Sequence, residues 1–207
     1  ALKEMVDNLS KHQHEDGSWK FCFEGGPMTD AFLLMTLKAL NINDDELIKA
    51  CVIRLRSLQT NNGSWKVYPN EKSGNLTATV QAYSALLVSG YYKKNDLIMK
   101  KAELFIRENG GLHKTHFMTK WMLAANGLFP WPNLFYIPMS FLLIPTFFPI
   151  NFFQFSTYAR IHFIPMMIVA NNKFSLKHDQ SPKLDHLFIS IDRNNTWELN
   201  RHDRSVT

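Results

Sequence analysis

Apolar residues recur at helical spacing in seven stretches of this 207-residue chain, and polar turns separate them. Leu2, Met5, Val6 and Leu9 mark the first predicted helix, which we expect to end near Gln13. The other six predicted helices are, in order, Met28–Leu40, one beginning at Asn43 or Asp44, Asn75–Ser89, Asp96–Asn109, His116–Asn126 and about Ser156–Ala170. No strand of useful length is indicated, so the pattern predicts an all-α chain with a polar, weakly patterned tail.

The predicted helices alternate between two kinds. The first, third and fifth carry an apolar stripe on one face, whereas the second, fourth and sixth are more continuously apolar. Two concentric layers of helical hairpins produce this alternation when the more apolar helices lie inside. For the third helix the predicted buried face consists of Leu47, Cys51, Val52, Leu55 and Leu58.

A short motif occurs twice, each time directly after an amphipathic helix. The first copy is Gln13, Gly17 and Trp19, and the second, 46 residues later, is Gln59, Gly63 and Trp65. Glutamine can bond backbone groups at a helix end, glycine permits a tight turn, and tryptophan covers a helix end with a large flat ring. We interpret both copies as structural staples, because turns of outer helices lie far from the middle of a barrel.

The stretch from Phe117 to Pro165 is rich in phenylalanine and proline. No charged residue or histidine lies between Lys120 and Arg160. Its prolines leave no run near the roughly 20 apolar residues that a spanning helix needs, so we expect short helical pieces and turns. The aromatic side chains belong to the core of the domain, to an apolar surface that dips into one membrane leaflet, or to the wall of an apolar channel.

Composition narrows the classes of function. Charged residues make up 20% and hydrophobic residues 45%, as in a globular domain. The formal charge of +5 is scattered, so a nucleic acid is not the expected partner and weak attraction to anionic lipid is the better interpretation. Cys22 and Cys51 could pair, but two buried thiols in a cytosolic chain are favoured. The N-terminus lacks the apolar run of a signal peptide, which favours the cytosol or its membrane face.

Candidate catalytic or metal-binding groups are few. Two close pairs of histidines are His12 with His14 and His113 with His116. Neither pair has the neighbouring cysteines or carboxylates that would complete a four-ligand set, so we predict no metal site. The acidic run Asp44, Asp45 and Glu46 is similar to a diphosphate–magnesium motif, but a third carboxylate is missing at Ile48. We interpret the run as a helix start.

Taken together, these features resemble the squalene–hopene cyclase family of triterpene cyclases. The two Gln-x-x-x-Gly-x-Trp copies are similar to the QW motifs of that family. Segments 74–90, 116–132 and 153–165 resemble helices of the same family, and FCFEG at 21–25 points to the branch that cyclises tetraprenyl-β-curcumene. The resemblance covers nearly the whole chain, thins after about Asn171, and corresponds to the N-terminal part of the family.

The resemblance implies a fold of two α/α barrels with the reaction cavity between them. This chain would form an incomplete α/α barrel of helical hairpins. Residues 1–25 would hold the first helix and QW turn of the main barrel, residues 26–170 the inserted barrel with the apolar stretch, and residues 171–207 a polar tail that continues in the full enzyme.

The implied chemistry is that of a class II terpene cyclase, an isomerase or lyase. It protonates an alkene of a polyprenyl hydrocarbon, squalene or tetraprenyl-β-curcumene, and guides a cation cascade without metal or cofactor. Aromatic faces in a dry cavity stabilise the cation. In the family a DxDD motif supplies the acid, but Ile42 precedes the paired Asp44 and Asp45 here. We therefore expect no catalytic residue in this chain and no activity from it alone.

The resemblance also implies site residues and partners. Trp121 matches an inward tryptophan of the family, and Met118, Leu123 and Asn126 are further candidates for the substrate cavity or channel. The candidates for membrane contact are Trp131, Phe135, Phe141, Phe147, Phe148 and Phe152. The implied partners are a polyprenyl substrate, a membrane surface bound from one side and the remainder of the cyclase, with a homodimer left open. The implied location is cytoplasmic, on the inner face of a bacterial cell membrane.

Two alternatives from other classes stay open. One is a different α/α-barrel enzyme, such as a protein prenyltransferase β subunit, which requires an Asp/Cys/His zinc site. The other is a non-enzymatic helical module that binds a lipid or a partner. Bound zinc would favour the first, and the missing DxDD motif supports the second.

Overall fold

A computed structural model describes residues 2–19, 26–68, 70–131, 138–176 and 182–189. Within these ranges the α-helices are α1 (Leu2–Lys11), α2 (Met28–Ala39), α3 (Asp45–Ser57), α4 (Leu76–Ser89), α5 (Leu97–Glu108), α6 (Phe117–Ala125) and α7 (Thr157–Asn171). Short 3-10 helices lie at Leu112–Lys114, Met139–Leu143, Phe152–Gln154 and Asp185–Leu187. In the same ranges the only strand-like pairing is a single bridge between Trp65 and Asn75. The all-α prediction is confirmed, with helix ends within about two residues of those expected.

The starts of α3, α4 and α7 are set by polar side chains that the sequence places just before them. Asp44 accepts a hydrogen bond from the backbone N–H of Leu47 at 3.0 Å, so the acidic run does begin a helix. Asn75 caps α4 and Ser156 caps α7 in the same way. Gly90 ends α4 in the left-handed conformation at φ 80°, which glycine adopts without a steric penalty.

The core is organised around α4, which packs against α2, α3 and α5. Eleven of its 14 residues are buried. By contrast α3 and α5 each bury one stripe of four residues. This distribution agrees with the predicted difference between inner and outer helices, since an inner helix is covered on all sides and an outer one keeps a solvated face.

The buried face of α3 differs from the prediction at three positions. Cys51, Val52 and Leu55 are buried as expected, but Leu47 and Leu58 are 37% and 39% exposed. Ile48, which is 1% exposed, completes the face instead. The spacing from position 48 to 55 follows a single helical stripe, whereas Leu47 turns away from it and Leu58 lies at the helix end.

An ion pair joins α3 to α2. Nη1 of Arg54 on α3 donates to both carboxylate oxygens of Asp30 on α2, at 3.0 and 2.8 Å. The Asp30 carboxylate is nearly buried, whereas the arginine side chain is 44% exposed. Solvent screening at the exposed partner limits the stabilisation to about 1 kcal/mol or less.

Helix α1 has the predicted amphipathic pattern but buries none of its residues. Its apolar stripe is open to solvent, with Leu2 81% and Met5 65% exposed. Burial of such a stripe is what normally stabilises a helix of this length. Within the described part of the chain, nothing covers this face.

The apolar stretch after α6 has the predicted short pieces. Between residues 138 and 156 the described chain forms two 3-10 helices joined by turns. Pro165 lies inside α7, where it removes one backbone hydrogen bond of the helix. Of the helices in the described ranges, none combines the length and hydropathy required to cross a bilayer.

Candidate functional site

The second QW turn is a closed network of backbone and side-chain bonds. Nε2 of Gln59 donates to the carbonyl of Gly63 at 3.0 Å and also to the carbonyl of Ile98, at the start of α5, at 3.0 Å. Nε1 of Trp65 donates to the carbonyl of Leu55 in α3 at 2.7 Å. The indole is 0% exposed and belongs to the core. One turn therefore links α3, the core and α5.

The first QW turn repeats the local bonds of the second. Nε2 of Gln13 donates to the carbonyl of Gly17 at 2.8 Å, and Nε1 of Trp19 donates to the carbonyl of Leu9 at 2.8 Å. Gly17 has φ 80° and Gly63 has φ 88°, so both turns use the left-handed conformation. The two differ in their surroundings, because Trp19 is 47% exposed where Trp65 is fully buried.

Gly63 also makes room for the next helix. A Cβ atom at this position would lie 2.5 Å from the backbone carbonyl carbon of Lys101 in α5. The corresponding Cβ at Gly17 would meet nothing closer than 4.0 Å, the end of the Gln13 side chain. The glycine of the second turn thus permits both a positive φ and close helix packing, whereas the glycine of the first permits only the turn.

Trp121 is half-buried between α6, α7 and the segment that follows α6. Its Nε1 donates to the carbonyl of Met166 in α7 at 3.3 Å, and its ring meets Trp131 edge to face at 6.3 Å. Trp131 in turn donates to the carbonyl of Phe174 at 2.9 Å. These contacts hold the Trp121 ring in place, as either a core or a cavity residue requires.

Two of the other three cavity candidates, Leu123 and Asn126, point away from Trp121. Met118 is 40% exposed, and Leu123 is fully buried in the helical core. Asn126 caps α6 and donates to the carbonyl of Met122 at 2.9 Å. It lines a separate cleft of about 260 Å³, of mixed polar and apolar lining, between the C-terminal ends of α2, α4 and α6. Met118 lies three residues before Trp121 and shares its face of the helix, whereas Leu123 and Asn126 lie on the opposite face.

The apolar stretch exposes a set of large apolar side chains, which we name the phenylalanine surface. It consists of Leu143, Phe147, Phe148, Ile150, Phe153 and Phe155, which are between 41% and 81% exposed. Aromatic contacts pack it from within, such as the T-shaped pair of Phe141 and Phe152 at 6.3 Å. No charged residue lies on this stretch, so its exposed surface is mainly apolar and uncharged.

The six membrane candidates divide according to burial. Phe147 and Phe148 are 81% and 50% exposed, whereas Trp131 and Phe141 are half-buried. Phe152 is only 6% exposed, which corrects its assignment to lipid contact, since its ring packs inside against Phe141. Phe153, which follows it in the chain, is 56% exposed instead. Phe135 lies outside the described residues.

The titratable groups whose pKa is shifted do not belong to the phenylalanine surface. Burial lowers the pKa of His113, with the charges of Lys120 and Lys114 acting in the same direction. Burial raises the pKa of the Cys51 thiol, and the Asp30 carboxylate adds to the effect. Cys22 lies outside the described residues. In the ranges that the structure describes, no group of three or more His, Cys, Asp or Glu side chains is arranged to hold a metal ion.

Sequence reasoning missed one cluster altogether. Tyr83 on α4 and His186 from the tail lie within hydrogen-bond distance, with Oη and Nε2 2.7 Å apart. Lys94, Glu103 and Arg107 surround them. The one available signal was the apolar run LDHLFI at 184–189 within the otherwise polar tail.

Comparison with known proteins identifies the class of this all-helical chain. The family described as the squalene-hopene cyclase N-terminal domain matches residues 2–207. The chain therefore belongs to the squalene–hopene cyclase family and corresponds to its N-terminal domain.

Individual relatives extend this result. The chain is 46% identical over 198 residues to the sporulenol synthase of Bacillus subtilis, which covers 94% of this chain and 31% of that protein. It is 28% identical over 188 residues to the dammaradiene synthase of Dryopteris crassirhizoma, covering 91% of the chain and 27% of the relative. It is 25% identical over 173 residues to the squalene–hopene cyclase of Alicyclobacillus acidocaldarius, covering 84% and 27% respectively. The chain thus spans less than a third of the length of each of these relatives.

Proposed function

We propose that this chain is the N-terminal part of a class II terpene cyclase that acts on squalene or tetraprenyl-β-curcumene. The observation that carries the proposal is the 46% identity to a sporulenol synthase along 94% of the chain. In this proposal α2 to α7 form part of an inserted α/α barrel, and α1 belongs to the main barrel. The open apolar stripe of α1 and the half-exposed Trp19 support that assignment, because both lack a cover within the described residues.

The proposed division of labour leaves the proton donor outside this chain. An isolated alkene is a very weak base, and a solvated aspartic acid with a pKa of about 3.9 is a poor donor to it. Asp44, one of the paired aspartates, is exposed and caps α3 through its bond to the N–H of Leu47. The contribution we assign to this chain is therefore a rigid apolar wall and an entry route for the substrate.

Trp121 is the residue that we propose to face the substrate. It is half-buried, and its ring is fixed by the bond to Met166 and the contact with Trp131. A fixed aromatic face beside a dry cavity stabilises a passing cation by about 0.5–2 kcal/mol. The competing interpretation is a plain core tryptophan, and a pair of substitutions distinguishes the two.

The test uses product analysis by gas chromatography after incubation with squalene and with tetraprenyl-β-curcumene. We expect no cyclic product from the 207-residue chain alone and cyclic product from the full-length cyclase. In the full-length protein, Trp121→Ala should lower the yield or divert the product. Trp121→Phe is the matched control, because it keeps an aromatic face and loses only the bond to Met166. Cyclic product from the short chain would overturn the placement of the acid, and unchanged products from Trp121→Ala would return this residue to the core.

We also propose that the phenylalanine surface holds the protein on the inner face of the cell membrane from one side. Its support is the exposure of large apolar side chains on a stretch without charges. A substrate with no polar groups resides in the bilayer, and a surface of this kind would place the entry route beside it. Insertion of a few rings needs no spanning helix.

A further inference from the structure

The tail contains a segment that docks on the helices, residues 182–189, which we name the strap. Leu184 and Leu187 are 2% and 0% exposed and belong to the core. Phe188 stacks on Phe129 with ring centroids 5.6 Å apart. Gly111 makes the docking possible, because a Cβ atom there would lie 2.6 Å from the carbonyl oxygen of Leu187. The strap is therefore an integral part of the fold rather than a loose extension.

A histidine lies at the centre of the strap. Nε2 of His186 is 2.7 Å from the hydroxyl of Tyr83 on α4, and Nδ1 is 3.3 Å from Nζ of Lys94. A lysine ammonium group can only donate, so Nδ1 must be the acceptor and carry no proton. The proton of the neutral ring then lies on Nε2, which donates to the oxygen of Tyr83. The Lys94 contact thus requires the neutral imidazole, whereas the bond from Nε2 to Tyr83 is compatible with either charge state of the ring.

Two cations also bind the backbone of the strap. Nζ of Lys94 donates to the carbonyl of Lys183. Nη1 of Arg107 on α5 donates to the carbonyl of His186 at 2.6 Å. These bonds hold two positive charges close to the imidazole ring. A positive charge on the ring would oppose this stabilisation, because like charges at this distance repel.

Nearby acidic groups offset only part of the effect that burial and the two cations have on the pKa of His186. Burial lowers the pKa of His186 most, and Lys94 lowers it further. Glu103 on α5 raises it, Arg107 lowers it and Asp185 raises it, in decreasing order, and the net direction is downward. Burial and then Glu103 raise the pKa of Tyr83, so the phenol keeps its proton. His113, whose ring lies 5.7 Å from that of Phe188, also has a lowered pKa, because of burial and the charges of Lys120 and Lys114.

We propose that the strap is proton-sensitive: it docks on α4 and α5 while His186 is neutral, and its docking weakens when His186 takes up a proton. Protonation removes the acceptor at Nδ1 and places an imidazolium 3.3 Å from the Lys94 ammonium. The pKa of His186 is lower in the docked state than its ordinary 6.5. Docking is therefore complete above that ordinary value and is lost progressively as pH falls below it.

Hydrogen exchange followed by mass spectrometry tests this on the full chain at about pH 7.5 and about pH 5.5, with correction for intrinsic exchange; the two conditions bracket the ordinary histidine pKa. The reporters are the amides of Leu187 and Phe188, which bond to the carbonyls of Leu184 and Asp185. Protection of the strap should fall at the lower pH, by up to about tenfold for each unit that separates docked and undocked pKa values. Protection of α4 should not change. Equal strap protection at both pH values would overturn the proposal.

Two variants separate this mechanism from a general loss of stability at acid pH. His186→Gln keeps an acceptor and a donor but cannot titrate, so it should remove most of the difference between the two conditions. Lys94→Gln keeps a donor toward Nδ1 without the charge, so it should reduce the difference. If His186→Gln docks poorly at both pH values, the Lys94→Gln result decides. A fall in protection as large as that of the wild type, in either variant, would overturn the proposal.

Discussion

Replacement of Phe147 and Phe148 by serine gives the sharpest test of membrane contact. The two rings are 81% and 50% exposed, so both can enter lipid without any change in the fold. Full burial of a phenylalanine side chain contributes about 1.5–3 kcal/mol, and scaling by these exposed fractions gives about 2–4 kcal/mol for the pair. At about 1.4 kcal/mol for each factor of ten, the double variant should bind lipid vesicles about 30- to 700-fold more weakly.

The assay is co-sedimentation with vesicles of mixed neutral and anionic phospholipid, at low and at moderate salt. Binding of the wild type should change little with salt, since the phenylalanine surface carries no charge. Leu97→Ser with Leu104→Ser is the matched control, because these side chains are 70% and 58% exposed on α5, away from the phenylalanine surface. Equal binding of wild type and Phe variant would refute the reasoning. Loss of wild-type binding in moderate salt would identify an electrostatic contact instead.

The repeated turns make two paired predictions about stability, measured by thermal and denaturant unfolding. Trp65→Ala should lower the free energy of unfolding by about 3–5 kcal/mol, because the indole is fully buried, whereas Trp19→Ala should cost clearly less in this chain because about half of that side chain is exposed. Equal decreases in the free energy of unfolding for the two variants would contradict the difference in burial between Trp65 and Trp19. Gly63→Ala should destabilise more than Gly17→Ala, since both have positive φ values but only Gly63 faces a backbone atom 2.5 Å from the new Cβ. Equal effects would mean that turn strain alone accounts for both, at about 1–3 kcal/mol each.

Much of the fold could be predicted because it depends on short-range patterns. Helical spacing of apolar residues located α1 to α7, and Asp44, Asn75 and Ser156 set three of the starts through bonds to residues three positions ahead. The QW turns are equally local, since each glutamine bonds the carbonyl four residues ahead. Family membership was predictable for the same reason, because it rests on such motifs and on long similar segments.

The candidate site could be predicted less well. In a stretch this rich in apolar residues, the few polar positions set no helical or strand period, so the sequence could not indicate that Phe152 is buried and Phe147 is exposed. The four cavity candidates were grouped because the family resemblance placed them on one predicted helix, but the structure turns Leu123 into the core and Asn126 toward a separate cleft.

What the sequence determined by itself is the set of helices, their caps and the two repeated turns, since each depends on residues only a few positions apart. Tertiary structure alone decided which side chains are buried. The same local turn buries Trp65 under neighbouring helices and leaves Trp19 half exposed. It also decided that His186, in a tail that reads as polar, would meet Tyr83 across 103 positions of sequence. Burial and long-range contact depend on how helices pack, and no local pattern contains that information.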